Sequence, residues 1–382
     1  MKVLMICAQF PPVYGGAGAQ AALLAAEYAR RGVTTEVVSL DQYGVGSAES
    51  RGYRVLRVLR GIGAKGLASR MLTTTALSLA SAWRVLVWRP DVVHIHGVYW
   101  WSIAPALVGR LTRSTVTLKV TRDGQDDPAT VLRKRLGPLP MGWLYGSSLR
   151  LANRVVVLSS TAFRAAQQAG LAGKTVQMRN GVDLARMARN PHRRTTSRHS
   201  AGLADQDRVA LFVGFLVEHK GVADLLEAWR LLGDNTTQLW LVGPFAGFYR
   251  ELDKDIPRQI EMLRAEGFSI GVLGHVPTDE MPALYWQADV FVLPSYAEGM
   301  PNSLMEAVVG GCQIVATSIP GVIDIVDSEQ ARLVAPGDVI ALAHALKGAL
   351  DGPVMDTSRA AAEMAIGTVV DGYLALYEGC AK

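Results

Sequence analysis

The sequence predicts an α/β fold: two Rossmann-like, doubly wound domains facing a cleft. Three observations carry this. Short β-branched apolar runs alternate with helical patterns through both halves, as in parallel sheets built from βαβ units. The chain has 382 residues, more than one hydrophobic core serves. The stretch 184–208 is polar and Pro-containing without a strong apolar period, which marks a boundary between two such repeats.

Taken in order, the first half gives strands at KVLMICA, TTEVVSL, DVVHIH, STVTLKV, RVVVLS and TVQMRN. The opening run is too short for a signal peptide and has no small-residue cleavage site, so it reads as a first buried strand. QAALLAAEYARR reads as a helix stopped by Gly32. The second half repeats the scheme with VALFVG, QLWLVG, SIGVLG, VFVLPS, CQIVAT and ARLVA, and a last helix at 358–379 has no strand to return to. In open sheets of this kind ligands lie beyond the carboxyl ends of the strands, so the functional motifs are expected there.

Composition excludes several classes. Cys7, Cys312 and Cys380 are too few and too scattered for a disulfide framework or a zinc site, which fits a reducing compartment. No uninterrupted apolar run reaches the about 18 to 20 residues of a membrane span. Charge is divided unevenly: residues 1–190 hold 25 Lys and Arg against 9 Asp and Glu, and residues 191–382 hold 14 against 25. From Arg51 to Arg89 eight cations occur without an acid, interleaved with apolar residues, a pattern suited to an anionic membrane surface or to a helix pair with a solvated Arg face. No nucleic-acid motif or aromatic platform accompanies this charge.

GGAGAQA places Gly16, Gly18 and Ala21 at the spacing of a dinucleotide-binding turn. In that fingerprint the first Gly follows its strand almost directly, whereas here QFPPVY intervenes, which argues against a nicotinamide site. The most informative stretch is PSYAEGMPNSLMEAVVGG, 294–311, in which Glu298 and Glu306 flank seven residues. A strand end, a Gly/Pro turn and a helix opening at Asn302 and Ser303, types that cap helices well, aim backbone N–H groups at a phosphate or diphosphate. Two carboxylates beside such a site suit sugar and ribose hydroxyls, though a lone Glu pair more commonly solvates a helix face.

AEGMPNSLMEA resembles the E-x7-E segment of the retaining GT-B glycosyltransferases, glycosyltransferase family 4 or group 1, which use nucleoside diphosphate sugars. The likeness extends over FPPVYGGAGAQAALLAAEYARRG, RPDVVHIHG, RNGVD, GFLVEHKGVADLLEAW and GGCQIVATSIPGVIDIV. It implies an acceptor-binding domain over 1–190, a linker over 191–208, a nucleotide-sugar domain over 209–357 and a returning helix over 358–382. Glu306 is implied on the ribose, Glu298 on the donor sugar, and Gly299, Met300, Pro301, Asn302 and Ser303 as backbone contacts. Lys220 is implied on the donor diphosphate, and Gly15 and Gly16 as a loop approaching it. Two departures stand out: Phe215 replaces the family's Arg, and the region of Thr121 lacks the family's His.

Lys119 and Arg122 are expected to offer acceptor or sugar contacts, and His96, ending its strand on the same face as His94, a catalytic one. Asp123, Asp126 and Asp127 would suit a metal, yet the resemblance implies that none is essential. The expected activity is sugar transfer to an acceptor hydroxyl of a glycan, polysaccharide or glycolipid. The alternatives are a non-catalytic nucleotide-sugar-binding subunit and a GT-B nucleotide-sugar epimerase. The expected location is cytoplasmic, peripheral on the inner face of a membrane.

Overall fold

A computed structural model of the chain describes residues 1–12, 15–50, 52–59, 66–121, 126–136, 139–243 and 255–380. They form two units: Met1–Gly181 together with Ile366–Lys382, and Val182–Ala365.

The first unit is built on β1 (Lys2–Cys7), β2 (Thr34–Leu40), β3 (Ala48–Ser50), β4 (Tyr53–Val58), β5 (Val92–His96) and β6 (Thr115–Lys119). An antiparallel pair of β7 (Arg135–Leu136) and β8 (Leu139–Pro140) precedes β9 (Arg154–Val157) and β10 (Thr175–Gln177). The sheet runs β10-β9-β6-β5-β1-β2-β4-β3 and is parallel except for β3, which pairs antiparallel to β4. Strands such as KVLMIC are continuously apolar because helices cover both faces. Leu4 and Ile6 pack with Leu77, Val85 and Trp101 on one side. Val3, Met5 and Cys7 pack with Leu24, Tyr28 and Tyr373 on the other.

Tyr373 lies on the last helix, Ile366–Glu378, which returns to this unit as expected. It is held by the Tyr28 and Tyr377 hydroxyls at 2.9 Å, by Arg31 donating to the Gly367 carbonyl at 2.8 Å, and by an Arg31–Asp371 ion pair.

The second unit is a parallel sheet of β11 (Arg208–Val213), β12 (Thr237–Val242), β13 (Ser269–Gly274), β14 (Val290–Leu293), β15 (Gln313–Thr317) and β16 (Arg332–Val334). Its order is β13-β12-β11-β14-β15-β16, so β14, which leads into the E-x7-E segment, lies centrally between β11 and β15.

The structure moves two expected boundaries. The chain crosses between units at Gly181 and Val182, not after residue 190, and returns at Ile366, not at 358. The expected linker contains a helix, Pro191–Ser200, of the second unit, N-capped by Asn190 accepting from the Arg193 N–H at 2.8 Å. It shows little apolar period because arginines anchor it: Arg198 donates to the Gln287 carbonyl at 2.7 Å, and Arg194 pairs with Asp289.

RNGVD, uninformative alone, is the device at the crossing. Asn180 accepts from Lys119 Nζ at 2.9 Å, and the Gln20 side-chain amide makes two 3.0 Å hydrogen bonds to the Gly181 backbone. Asp183 then caps the next helix by accepting from the Arg186 N–H at 3.1 Å.

The stretch from Arg51 to Arg89 also divides. Tyr53–Val58 is a sheet strand, and Leu67–Trp88 is a helix, while residues 51 and 60–65 lie outside the described residues.

Candidate functional site

In the second unit, β11 ends in a loop carrying Phe215 and a single 3-10 turn, Glu218–Lys220. Gly221 follows with φ 66°, and a Cβ there would lie 2.1 Å from the Pro294 carbonyl oxygen. Only glycine lets this turn pass so close to the end of β14. A backbone hydrogen bond from the Tyr296 N–H to the His219 carbonyl, 2.9 Å, fastens the two loops.

That seam places Lys220 Nζ 2.5 Å from Glu298 Oε1, which also accepts from the Ser295 hydroxyl at 2.8 Å. Both charged side chains are mostly shielded, at 18% and 9% exposure, so the pair is weakly screened. The turn behind Glu298 is backed by Gly321, where a Cβ would meet the Glu298 and Gly299 carbonyl oxygens at 2.4 and 2.6 Å.

The helix Asn302–Val309 starts with Pro301 at its N-cap and no side-chain capping bond, so Asn302 and Ser303 do not cap it as expected. Proline sits there because its missing N–H costs nothing at a helix start. Glu306 lies one turn inside, half-buried, with its Oε2 accepting from the Tyr285 hydroxyl at 2.8 Å. Burial raises its pKa above 4.5, opposed by that hydroxyl and by the Arg186 charge. Lys220, Glu298, Gly299, Met300, Pro301, Asn302, Ser303 and Glu306 are thus brought together by the 218–221 loop, the 294–301 turn and one helix. Sequence reasoning missed Tyr285, which reads there as a core aromatic of a short helix.

In the first unit, strand register puts Cys7, His96 and Lys119 side by side at the carboxyl ends of β1, β5 and β6. All three are buried. His96 stacks on His94 with ring centroids 4.5 Å apart, and neither of its ring nitrogens has a hydrogen-bond partner among the described residues. Burial first, and the neighbouring His94 and Lys119 next, push its pKa well below 6.5. His94 Nδ1 meets the Tyr377 hydroxyl at 2.8 Å, joining this row to the returning helix. Lys119 is committed to Asn180 beneath the Tyr373 ring, where desolvation pushes its pKa down to about 7. This burial is at odds with the expected acceptor contact from Lys119, and Arg122 lies outside the described residues.

Gly15 precedes the helix Gly16–Arg30, which has no side-chain cap. The close approach in this motif belongs to Gly18, whose Cβ would lie 2.6 Å from the Gln9 carbonyl oxygen. Among the described residues no cluster of His, Cys, Asp or Glu could hold a metal; Asp126 instead accepts from the Thr121 hydroxyl at 2.9 Å, and Asp123 lies outside them.

The sequence matches the family model for group 1 glycosyl transferases over residues 207–351 and that for glycosyltransferase family 4 over residues 14–186. The 2-deoxystreptamine N-acetyl-D-glucosaminyltransferase of Streptomyces fradiae is 30% identical over 88% of this chain and 83% of its own. The chain belongs to the group 1, family 4 glycosyltransferases.

Other relatives of this glycosyltransferase agree. Glycogen synthase of Mycobacterium tuberculosis is 27% identical over 95% of this chain and 89% of its own. A Bacillus subtilis protein named for teichuronic acid biosynthesis is 32% identical over 44% of this chain and 39% of its own. Among solved structures, sucrose-phosphate synthase from Thermosynechococcus elongatus superposes with TM-score 0.77 at 19% identity, covering 99% of this chain and 98% of its own. Anabaena HepE in complex with UDP-glucose superposes with TM-score 0.73 at 19% identity, covering 98% and 99%. The fold is GT-B.

Proposed function

We propose that this glycosyltransferase moves a sugar from a nucleoside diphosphate sugar to an acceptor hydroxyl, with retention at the anomeric carbon, in the synthesis of a cell-surface glycan, polysaccharide or glycolipid. The Lys220–Glu298 pair at the opening of the 302–309 helix carries the reading. An ammonium beside helix N–H groups suits a departing diphosphate, because charge develops there as the glycosidic bond breaks. Once the diphosphate draws Lys220, Glu298 is released to accept from sugar hydroxyls. Glu306, oriented by Tyr285, accepts from the ribose.

In this reading the bond from the anomeric carbon to the diphosphate oxygen breaks through an oxocarbenium-like centre. The acceptor oxygen bonds to the same face, and its proton passes to the departing phosphate oxygen. No protein nucleophile is needed, and catalysis rests on orientation and charge stabilisation. The second unit takes the donor, and the basic first unit the acceptor. Lys220 and the helix N-terminus supply the positive charge, so no metal is required in this scheme. UDP-glucose bound to HepE supports a nucleotide-sugar donor, and the relatives' names favour transfer over a binding subunit or an epimerase.

Purified protein incubated with labelled UDP-, GDP- and ADP-sugars and glycan or lipid acceptor fractions tests this. The expected result is chelator-insensitive transfer from one donor class, with the anomeric configuration kept in the product by NMR. Donor binding without transfer across the panel would leave a binding subunit, and donor conversion without acceptor an epimerase; either overturns the proposal.

A further inference from the structure

The helix Leu67–Trp88 is amphipathic the wrong way round. Its buried side includes Thr73, Ser78 and Ser81 beside Leu77 and Val85, and Ser78 donates to the Trp101 carbonyl at 2.8 Å. Its outer side shows Leu72 at 57%, Leu79 at 63%, Trp83 at 66% and Leu86 at 48% exposure. At 100° per residue these four side chains fall within about 60° of arc, an apolar row rather than scattered residues. The adjacent helix Ile103–Leu111 extends the surface with Leu107 and Leu111, at 45% and 75% exposure. Helices facing water normally do the reverse, and contiguous exposed apolar surface marks an interaction site.

Charge identifies the occupant. Residues 66–121 contain six Lys and Arg against a single acid, Asp91, which accepts from the Lys2 N–H. Arg70, Arg89, Arg110 and Arg113, on these two helices or just beyond their ends, are exposed, whereas Arg84 is paired with Glu36 at 2.6 Å. The helix that carries the row spans on the order of 30 Å. Among the described residues no helix is long and apolar enough to cross a membrane.

We propose that the outer face of the 67–88 helix and its 103–111 neighbour dock on an anionic lipid bilayer, the apolar row entering the headgroup boundary and the arginines meeting lipid phosphates. Within the basic stretch expected at a membrane, this places the contact on the helix, while Arg57 in β4 donates to the Pro11 carbonyl. The proposal stands apart from the reaction above, and each can fail without the other.

The full chain sedimented with phosphatidylcholine vesicles, with and without phosphatidylglycerol, provides the test. Wild type is expected to bind the anionic vesicles, to release with salt, and to leave neutral vesicles in the supernatant. Leu79→Ser with Trp83→Ser should weaken anionic binding about a hundredfold. Arg110→Gln with Arg113→Gln should weaken it about 25-fold, about fivefold per cation. Both variants should keep the wild-type circular dichroism, because these side chains are exposed. Absent wild-type binding, binding unchanged in the variants, or a dimer that depends on the row without vesicle binding overturns the proposal, the last in favour of a second copy of the chain.

Discussion

Lys220 Nζ sits 2.5 Å from Glu298 Oε1 across 78 residues of sequence, so the cation assigned to the donor diphosphate is held in place by the carboxylate assigned to the donor sugar. Lys220→Met is expected to lower kcat by about 10²- to 10³-fold, the range for removing a group that stabilises developing charge. It should cost about 1–3 kcal/mol of stability, since Glu298 loses a partner but keeps Ser295. Initial rates and thermal melts separate the two effects, and wild-type turnover in the variant would exclude the assigned role.

Tyr285→Phe probes the ribose contact through pH. A carboxylate accepts hydroxyl hydrogen bonds and a protonated carboxyl accepts them poorly, so donor binding should fall as pH drops through the pKa of Glu306. Burial raises that pKa, and the Tyr285 hydroxyl holds it down. Removing the hydroxyl moves the loss to higher pH and weakens binding about tenfold. Calorimetric titration with a nucleoside diphosphate between about pH 5 and 8 reads both changes. An unmoved acid limb would show that Glu306 does not meet the nucleotide.

Gly321→Ala should disable the turn without touching a charged group. The new Cβ would stand 2.4 Å from the Glu298 carbonyl oxygen, a backbone atom that gives way only if the turn shifts. Overpacking of this kind costs about 1–3 kcal/mol, and turnover should fall with it because Glu298 is carried by the displaced segment. Full activity with wild-type melting would show that the turn tolerates the shift.

Two buried groups of the first unit predict a pH dependence of stability. Burial pushes His94 down to about 3 from 6.5 and Lys119 to about 7 from 10.5. Between the folded and unfolded values the unfolded chain binds more protons, so these two groups raise stability with pH from 3 to 6.5 and again from 7 upward. Above pH 9 the buried Cys7 and Cys312 thiols, pushed up to about 12 from 9, oppose the rise. Acidification through the lower window therefore removes stability. Lys119→Met should flatten the upper window, and His94→Leu should reduce the slope of the lower one, with His96 supplying the remainder. Denaturant midpoints measured against pH check both, and unchanged slopes would place the titration elsewhere.

Much of this was legible in the chain. Every strand of the second sheet was, because each is a short apolar run closed by a turn, and so was the E-x7-E turn. β3 and β4 were missed: YRVLRV puts cations inside a strand near the sheet edge, which reads equally well as an amphipathic helix. The crossing at Gly181 was missed because its anchors, Gln20 and Lys119, are 161 and 61 residues from their partners. Tyr285 was missed because its one polar atom finds Glu306 only after two helices pack.

By itself the sequence determined the two βαβ repeats, the strand ends where chemistry gathers, and the residue types offered there, because periodicity and turn chemistry act over a few residues. The tertiary structure decided which of those residues meet: Lys220 with Glu298, Tyr285 with Glu306, and Lys119 with Asn180. It also decided which face of the 67–88 helix turns outward. Strand order and register place residues far apart in the chain side by side, and no local pattern encodes that placement.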